Sequence, residues 1–458
     1  MRSFGNRSRQ GSRKPTLFEH SFPPCTLPWL GFCIFMQLPV STLADAKLVL
    51  DRERMELHPA RPEDRPFYVE RGTETLDSMM AEAASAAVGS RPFRWFFTGH
   101  TGAGKSTELN RVVNDQRLLS QYLPAIFSVR EKLDINNLDF TDLLLGIAEC
   151  VVSMAEDHEV KVPAALTQRI EKWGREVEIE TETGGEGAGK TGVEWNFLLL
   201  KATAEIQAGG SLKKTIREKM RDRLTDFITL IDDLAQEIEK SKQRRPLVVL
   251  DGLDHVDFRP IQDIFTNHWA SISKPRVSLL IVVPLPLLNE PKFMAYVQDN
   301  YSLLPNVKVF TKAGSDDLDS NGFKFFKEVI SRLASLDLFT DKALREIFRL
   351  SGGMLRDMIG IAGDAAKYAD ADDPKGKVKP SHVTRVLNDR KAYFRRLLSA
   401  KDFEVLRRVR DNPYPLGFDG IGPLLHLKAI IFYPNGEGWY GLHPAVQAIL
   451  DAASASAS

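Results

Sequence analysis

Apolar runs too short and too continuous for surface helices punctuate the first two thirds of the chain: RPFRWFFTG (91–99), YLPAIFSVR (122–130), PLVVLDGLDH (246–255) and VSLLIVVPLPL (277–287). Such runs predict strands of a parallel sheet covered on both faces. Helical patterns lie between them, STELNRVVND (106–115) and LDFTDLLLGIAECVVSMAE (138–156), so strand and helix alternate as in an α/β fold. Upstream, RPFYVERG (65–72) reads as a loop leading into a strand, followed by an Ala-, Met- and Glu-rich helix. From about 157 to 245 the alternation gives way to a charged, Gly-containing excursion and a long helix over 214–240. There Ile216, Met220, Phe227, Ile231, Leu234 and Ile238 form one apolar stripe, suited either to packing on its own domain or to a coiled coil with a partner.

After about Leu318 the pattern turns helical, through SNGFKFFKEVISRLASL, TDKALREIFRLSGG, MLRDMIGIAGDAAKYAD and SHVTRVLNDRKAYFRRLL. The last segment offers two helices, KDFEVLRRVRD and IGPLLHLKA, then strands IIFYPN and GWYGLH joined through Asn435-Gly436, a favoured hairpin pair. Helices followed by a hairpin predict a winged helix.

Composition narrows the class. A chain of 458 residues is too long for one ordinary core. Its 61 Lys and Arg balance 61 Asp and Glu, which excludes a surface wholly devoted to nucleic acid but leaves room for a local basic patch. With 43% hydrophobic and 27% charged residues it reads as globular. Cys25, Cys33 and Cys150 have no metal-ligand spacing, and so few cysteines fit a reducing, cytoplasmic setting. The first 45 residues are basic and Ser/Gly-rich to Lys14, then apolar but broken by Pro23, Pro24 and Pro28. LPWLGFCIFMQLPV (27–40) falls short of the ~20 residues a membrane span needs and lacks a secretory layout, so no membrane partner is expected. Either translation begins at Met36 or this is a disordered or targeting extension.

Gly99-His100-Thr101-Gly102-Ala103-Gly104-Lys105-Ser106 satisfies G-x-x-x-x-G-K-[ST] with a strand before it and a helix, opened by Ser106 and Thr107, after it. The glycines let backbone N–H groups turn onto phosphate oxygens, and the helix N-terminus adds partial positive charge. Lys105 reaches the β- and γ-phosphates of ATP, and the Ser106 hydroxyl ligates Mg²⁺. Gly184–Thr191 fits the same pattern, but it follows a charge-alternating segment and precedes no helix, so it reads as a flexible turn. In LVVLDGLDH the strand ends on Asp251, where a carboxylate holds the water shell of Mg²⁺ beside the P-loop. Asp254 is placed to orient an attacking water, the plainer alternative being a turn or helix cap. The side chains of His100 and His255 are read as surface or packing groups, not bases. In Ser351-Gly352-Gly353-Met354-Leu355-Arg356-Asp357 the glycines permit a turn that sets Arg356 on the first turn of a helix. Arg356 then either touches the γ-phosphate from a second domain or makes a surface salt bridge.

On GHTGAGKS, LVVLDGLDH and SGGMLRD the chain resembles the AAA+/STAND group of P-loop ATPases, and in layout the origin-recognition initiator-like members with a helical lid and a C-terminal winged helix. The resemblance implies an α/β P-loop parallel sheet with lid and winged-helix domains. It implies Lys105 and Ser106 as Walker A contacts, Asp251 as the Mg²⁺ carboxylate, Asp254 as the displaced second acid and Arg356 as the sensor-2 arginine. Tyr68 and Val69 in FYVERG resemble the stretch that contacts adenine. Val283-Pro284 stands where a polar sensor-1 residue is common, and Gly252 where an acid usually follows Asp251, which together favour slow hydrolysis.

The expected plan is an extension over 1–45, a P-loop ATPase domain over 46–316 with an insertion at about 157–245, a lid over 317–392, and a winged helix and tail over 393–458. The expected function is a regulatory ATPase in which ATP or ADP sets conformation or assembly, with a homo-oligomer or protein partner met through the insertion and winged helix. The alternative is a DNA-binding ATPase. Only His426 and Lys428 are offered on the presumptive recognition segment, whereas Arg395, Arg396, Lys401, Arg407, Arg408 and Arg410 suit phosphates or solvent equally. A small-molecule kinase leaves the winged helix and Gly-Gly-Arg lid without a role.

Overall fold

The computed structural model describes residues 38–51, 57–72, 74–177, 211–311, 315, 317–414, 420–434 and 437–455. The Gly184–Thr191 match and the Asn435-Gly436 turn lie outside them.

Five strands, Arg94–Gly99 (β1), Tyr122–Ser128 (β2), Arg245–Asp251 (β3), Ser278–Pro284 (β4) and Tyr301–Leu303 (β5), form a parallel sheet in the order β2-β3-β4-β1-β5. Leaving β1, the chain runs to the far edge and returns through β3 and β4 before crossing to β5. The C-terminal end of β1 therefore lies where the strand order reverses, the place at which such sheets open a crevice. The continuous apolar runs follow from two-sided burial. Phe96, Val248, Leu250, Leu279, Ile281 and Val283 join the core under Phe140–Asp157, Leu224–Lys242 and Phe258–Asn267. Trp95, Phe97, Leu247, Val249, Leu280 and Val282 join the core under Glu74–Val88 and Lys105–Val113. Every residue of β4 is buried. The three-residue β5 is too short to show a period in sequence.

Two expectations need correction. RPFYVERG contains a 3-10 turn at Arg65–Phe67 and then chain that joins no strand over 68–72; Pro66 lacks the N–H that a ladder requires. The helix expected over 214–240 is two helices, Ser211–Asp222 and Leu224–Lys242, broken at Arg223, whose φ of −117° and ψ of 30° leave the helical region. Its stripe is not an outward seam, because Ile216, Met220, Phe227, Ile231, Leu234 and Ile238 are all buried in the domain's own core. Asp142, fully buried on Phe140–Asp157, fastens the first of these helices through Arg217 Nε at 2.9 Å.

The helices Ser320–Leu333, Asp341–Leu350, Leu355–Asp372 and Pro380–Leu397 form the helical part. Leu43–Val49, capped by the Thr42 hydroxyl, packs on Leu355–Asp372 and ties to it through Lys47 and Asp370. The apolar face of so short a helix needs a partner and finds it there, so position 46 lies within an element that packs on the helical part. A boundary at 392 likewise falls inside Pro380–Leu397, which packs on the C-terminal helix Pro444–Ala455.

The C-terminal part comprises Ala400–Asp411, Ile421–His426 and the antiparallel pair Ile430–Tyr433 (β6) and Trp439–Leu442 (β7), the element order expected of a winged helix. Among the described residues no helix is long and apolar enough to cross a membrane, and no cluster of His, Cys, Asp and Glu could hold a metal.

Candidate functional site

β1 ends at Gly99 and the helix Lys105–Val113 begins six residues later, so the intervening loop has to turn sharply. Gly102 and Gly104 do so with φ of +90° and +97°, values that L side chains rarely adopt. At Gly102 the restriction is doubled, since an added Cβ would lie 2.9 Å from Arg356 Cβ. The Arg356 N–H donates to Gly102 O at 3.0 Å, and the first turn of Leu355–Asp372 thereby sits directly on the loop.

Lys105 is buried, with Nζ 3.0 Å from the carbonyls of Gly99 and His100 and 2.8 Å from Asp254 Oδ2. The Thr101 hydroxyl also reaches Asp254 Oδ2, at 3.4 Å. Burial works against the Asp254 carboxylate, but the Lys105 charge and hydrogen bond outweigh it and hold its pKa down at about 2. A buried cation and a buried anion thus neutralise one another at the mouth of the Gly99–Ser106 loop, where neither could stand alone cheaply. Sequence reading placed both residues at the site but not their pairing.

His100 is the unexpected joint. Its imidazole is buried, and Nε2 accepts the Phe432 N–H of β6 at 2.8 Å, which ties the loop to the C-terminal part. Burial, with Lys105 and Lys428 adding repulsion, lowers its pKa to about 3. His443 is lowered to about 3 by burial as well, with Asp357 opposing and Lys428 and Arg390 assisting. Histidines held neutral in the fold but free to charge when unfolded support stability above about pH 6.5 and lose it as pH falls toward 3. Denaturant unfolding at pH 5 is expected to show a loss of about 2 kcal/mol per histidine relative to pH 7.5. His100→Gln, which keeps an acceptor, should flatten part of that slope; an unaltered slope would remove His100 from the account.

Asp251 ends β3 beside Ser128 of β2, and Gly252 follows with φ of +89°, its N–H donating to Asp251 Oδ1 at 2.8 Å. A Cβ at Gly252 would meet the Arg130 nitrogen at 3.2 Å, so an acid cannot replace it without moving the segment after β2. Arg130, missed in sequence, is flagged by the rule that ligands gather at carboxyl ends of strands. His255, half-buried, is kept from charging chiefly by burial and also by Arg356, Arg130 and Lys105, against the pull of Asp254. Basic groups therefore converge on the same crevice.

Tyr68 is half-buried and donates its hydroxyl to Glu108 Oε1 at 2.9 Å, in the first turn of the helix after the loop. Val69 is half-buried beside it. Two residues on, Arg71 donates to Ala103 O at 2.5 Å and to Pro305 O. Arg71 is half-buried, and among the described residues no carboxylate lies within ion-pair distance of its guanidinium. The sequence singled out Tyr68 and Val69 in this segment, but not Arg71, which reaches the loop backbone.

No protein-family model and no curated protein sequence matches the chain. Solved structures similar to it include Cdc6p from Pyrobaculum aerophilum, at 11% identity over 85% of this chain and 98% of that one, with a TM-score of 0.38. The ORC1 protein of Aeropyrum pernix, in complex with DNA, is similar at 15% identity over 88% and 95%, with a TM-score of 0.40. A Walker-type ATPase of Pyrococcus abyssi is similar at 13% identity over 88% and 99%, with a TM-score of 0.39.

Proposed function

We propose that the chain is an ATP-binding, slowly hydrolysing regulatory ATPase in which the occupant of the Gly99–Ser106 loop sets the contact between the sheet domain and the two C-terminal parts. The observation that carries this is the double tether of the loop: Gly102 O to Arg356 N and His100 Nε2 to Phe432 N. Triphosphate drawing Lys105 away from Asp254 would disturb a loop bonded at two points to the parts that must respond.

The donor set fits the nucleotide. Glycines at positive φ allow the loop N–H groups to turn inward, Lys105 would supply the cation, and Ser106 and Asp251 would supply oxygen ligands for Mg²⁺, which would neutralise phosphate charge. His100, Thr101, Gly102, Ala103, Gly104 and Thr107 line the cradle in this reading. Asp254 orients the attacking water, and Arg356 reports phosphate to the lid.

The DNA-binding reading draws on exposed Arg395, Arg396, Lys401, Arg407 and Arg408. Against it, the presumptive recognition helix Ile421–His426 packs on residues 285–289, and Lys428 is engaged by Asp357 at 3.2 Å. The regulatory reading is therefore preferred. Mass measured with ADP and with a non-hydrolysable ATP analogue should differ in hydrodynamic radius or subunit number; identical values in both states argue against a switch. A salt titration with duplex DNA should show no steep loss of affinity, whereas a slope of several units supports the alternative.

A further inference from the structure

Asn306 lies just beyond β5, on the strip of chain between the phosphate loop and the lid. Leu304 donates its N–H to Thr98 O at 2.8 Å, and Pro305 O accepts from Arg71, which also holds Ala103 O. Val307 donates to Gly353 O at 2.9 Å, at the turn that opens the Arg356 helix. Asn306 is thus fixed by its neighbours on both sides, and it is only 7% exposed. Neither its Oδ1 nor its Nδ2 has a hydrogen-bond partner. Among the described residues it is the only one with a donor and an acceptor of one side chain both buried and unpaired. Such groups are expensive, and one beside a phosphate cradle points to a partner that arrives with the ligand.

We propose that the Asn306 carboxamide recognises the base of the bound nucleotide and selects adenine. The amide offers one acceptor and one donor side by side; adenine presents an amino donor next to a ring-nitrogen acceptor, while guanine presents two acceptors along the corresponding edge. The half-buried Tyr68 and Val69 lead into Arg71, whose bonds to Ala103 O and Pro305 O join their segment both to the loop and to the strip that carries Asn306. The inference rests on reading Gly99–Ser106 as the nucleotide site and adds to it which base is preferred.

The full chain, as wild type, Asn306→Ala and Asn306→Leu, is titrated calorimetrically with ATP, GTP and inorganic tripolyphosphate in the presence of Mg²⁺. Wild type should favour ATP over GTP by at least about tenfold, and both variants should lose about tenfold in ATP affinity while binding tripolyphosphate as before. The ligand-free Asn306→Leu protein should melt no lower than wild type, since it sheds two unpaired polar atoms; a purely structural amide would give a lower midpoint. An unchanged ATP-to-GTP ratio, or equal losses for ATP and tripolyphosphate, overturns the assignment. Wild type that binds tripolyphosphate but shows no base preference overturns this inference alone, whereas wild type that binds neither ligand overturns the nucleotide reading with it.

Discussion

Lys105→Ala abolishes measurable ATP binding, while Lys190→Ala leaves it intact. Lys105 is the cation that would meet the β- and γ-phosphates, and losing two charge-assisted contacts costs about 3–4 kcal/mol, several hundredfold in affinity. The same substitution strands the Asp254 carboxylate, which is 7% exposed and 2.8 Å from Lys105 Nζ, so the thermal midpoint should also fall. A double variant separates the two effects: Lys105→Ala with Asp254→Ala removes both charges and should regain much of the stability without regaining binding. Equilibrium titration and thermal melts of the three proteins provide the readout. Retained binding in Lys105→Ala together with loss in Lys190→Ala would transfer the site to the other loop.

Asp254→Asn stops turnover and does not weaken ATP binding. As a carboxylate, Asp254 is fully available above about pH 4, since Lys105 holds its pKa near 2. Replacing it by a neutral amide removes the group that would orient water, a loss of about a hundredfold or more in hydrolysis. It also removes the anion with which phosphate competes for Lys105, so ATP affinity should rise by roughly threefold to tenfold. Phosphate release and ATP titration are measured on the same protein. Unchanged hydrolysis would take away the catalytic role, and weaker binding would contradict the competition between Asp254 and phosphate.

The α/β sheet was legible because each strand buried on both faces is written as a continuous apolar run, and the place of the Gly99–Ser106 loop because its pattern stands between a strand and a helix. The stripe from Ile216 to Ile238 was legible as an apolar face, but whether it faced the domain or a partner is a question of what lies opposite. The break at Arg223 left no Pro or Gly in the sequence to announce it. The helices Leu43–Val49 and Pro380–Leu397 run across positions 46 and 392 with no composition change there, and what they belong to is decided by what they pack on.

By itself the sequence determined the four long strands β1 to β4, the helices between them, and the placing of the Gly99–Ser106 pattern and of Asp251 at strand ends, since these depend on local periodicity and on residue types at close spacing. Only the tertiary structure decided that Lys105 and Asp254 pair, that His100 reaches a strand 332 residues away, and that Arg71 joins the loop at Ala103 to Pro305. Those relations join segments far apart in the chain through burial and hydrogen-bond geometry, which no local pattern of hydrophobic and polar positions encodes.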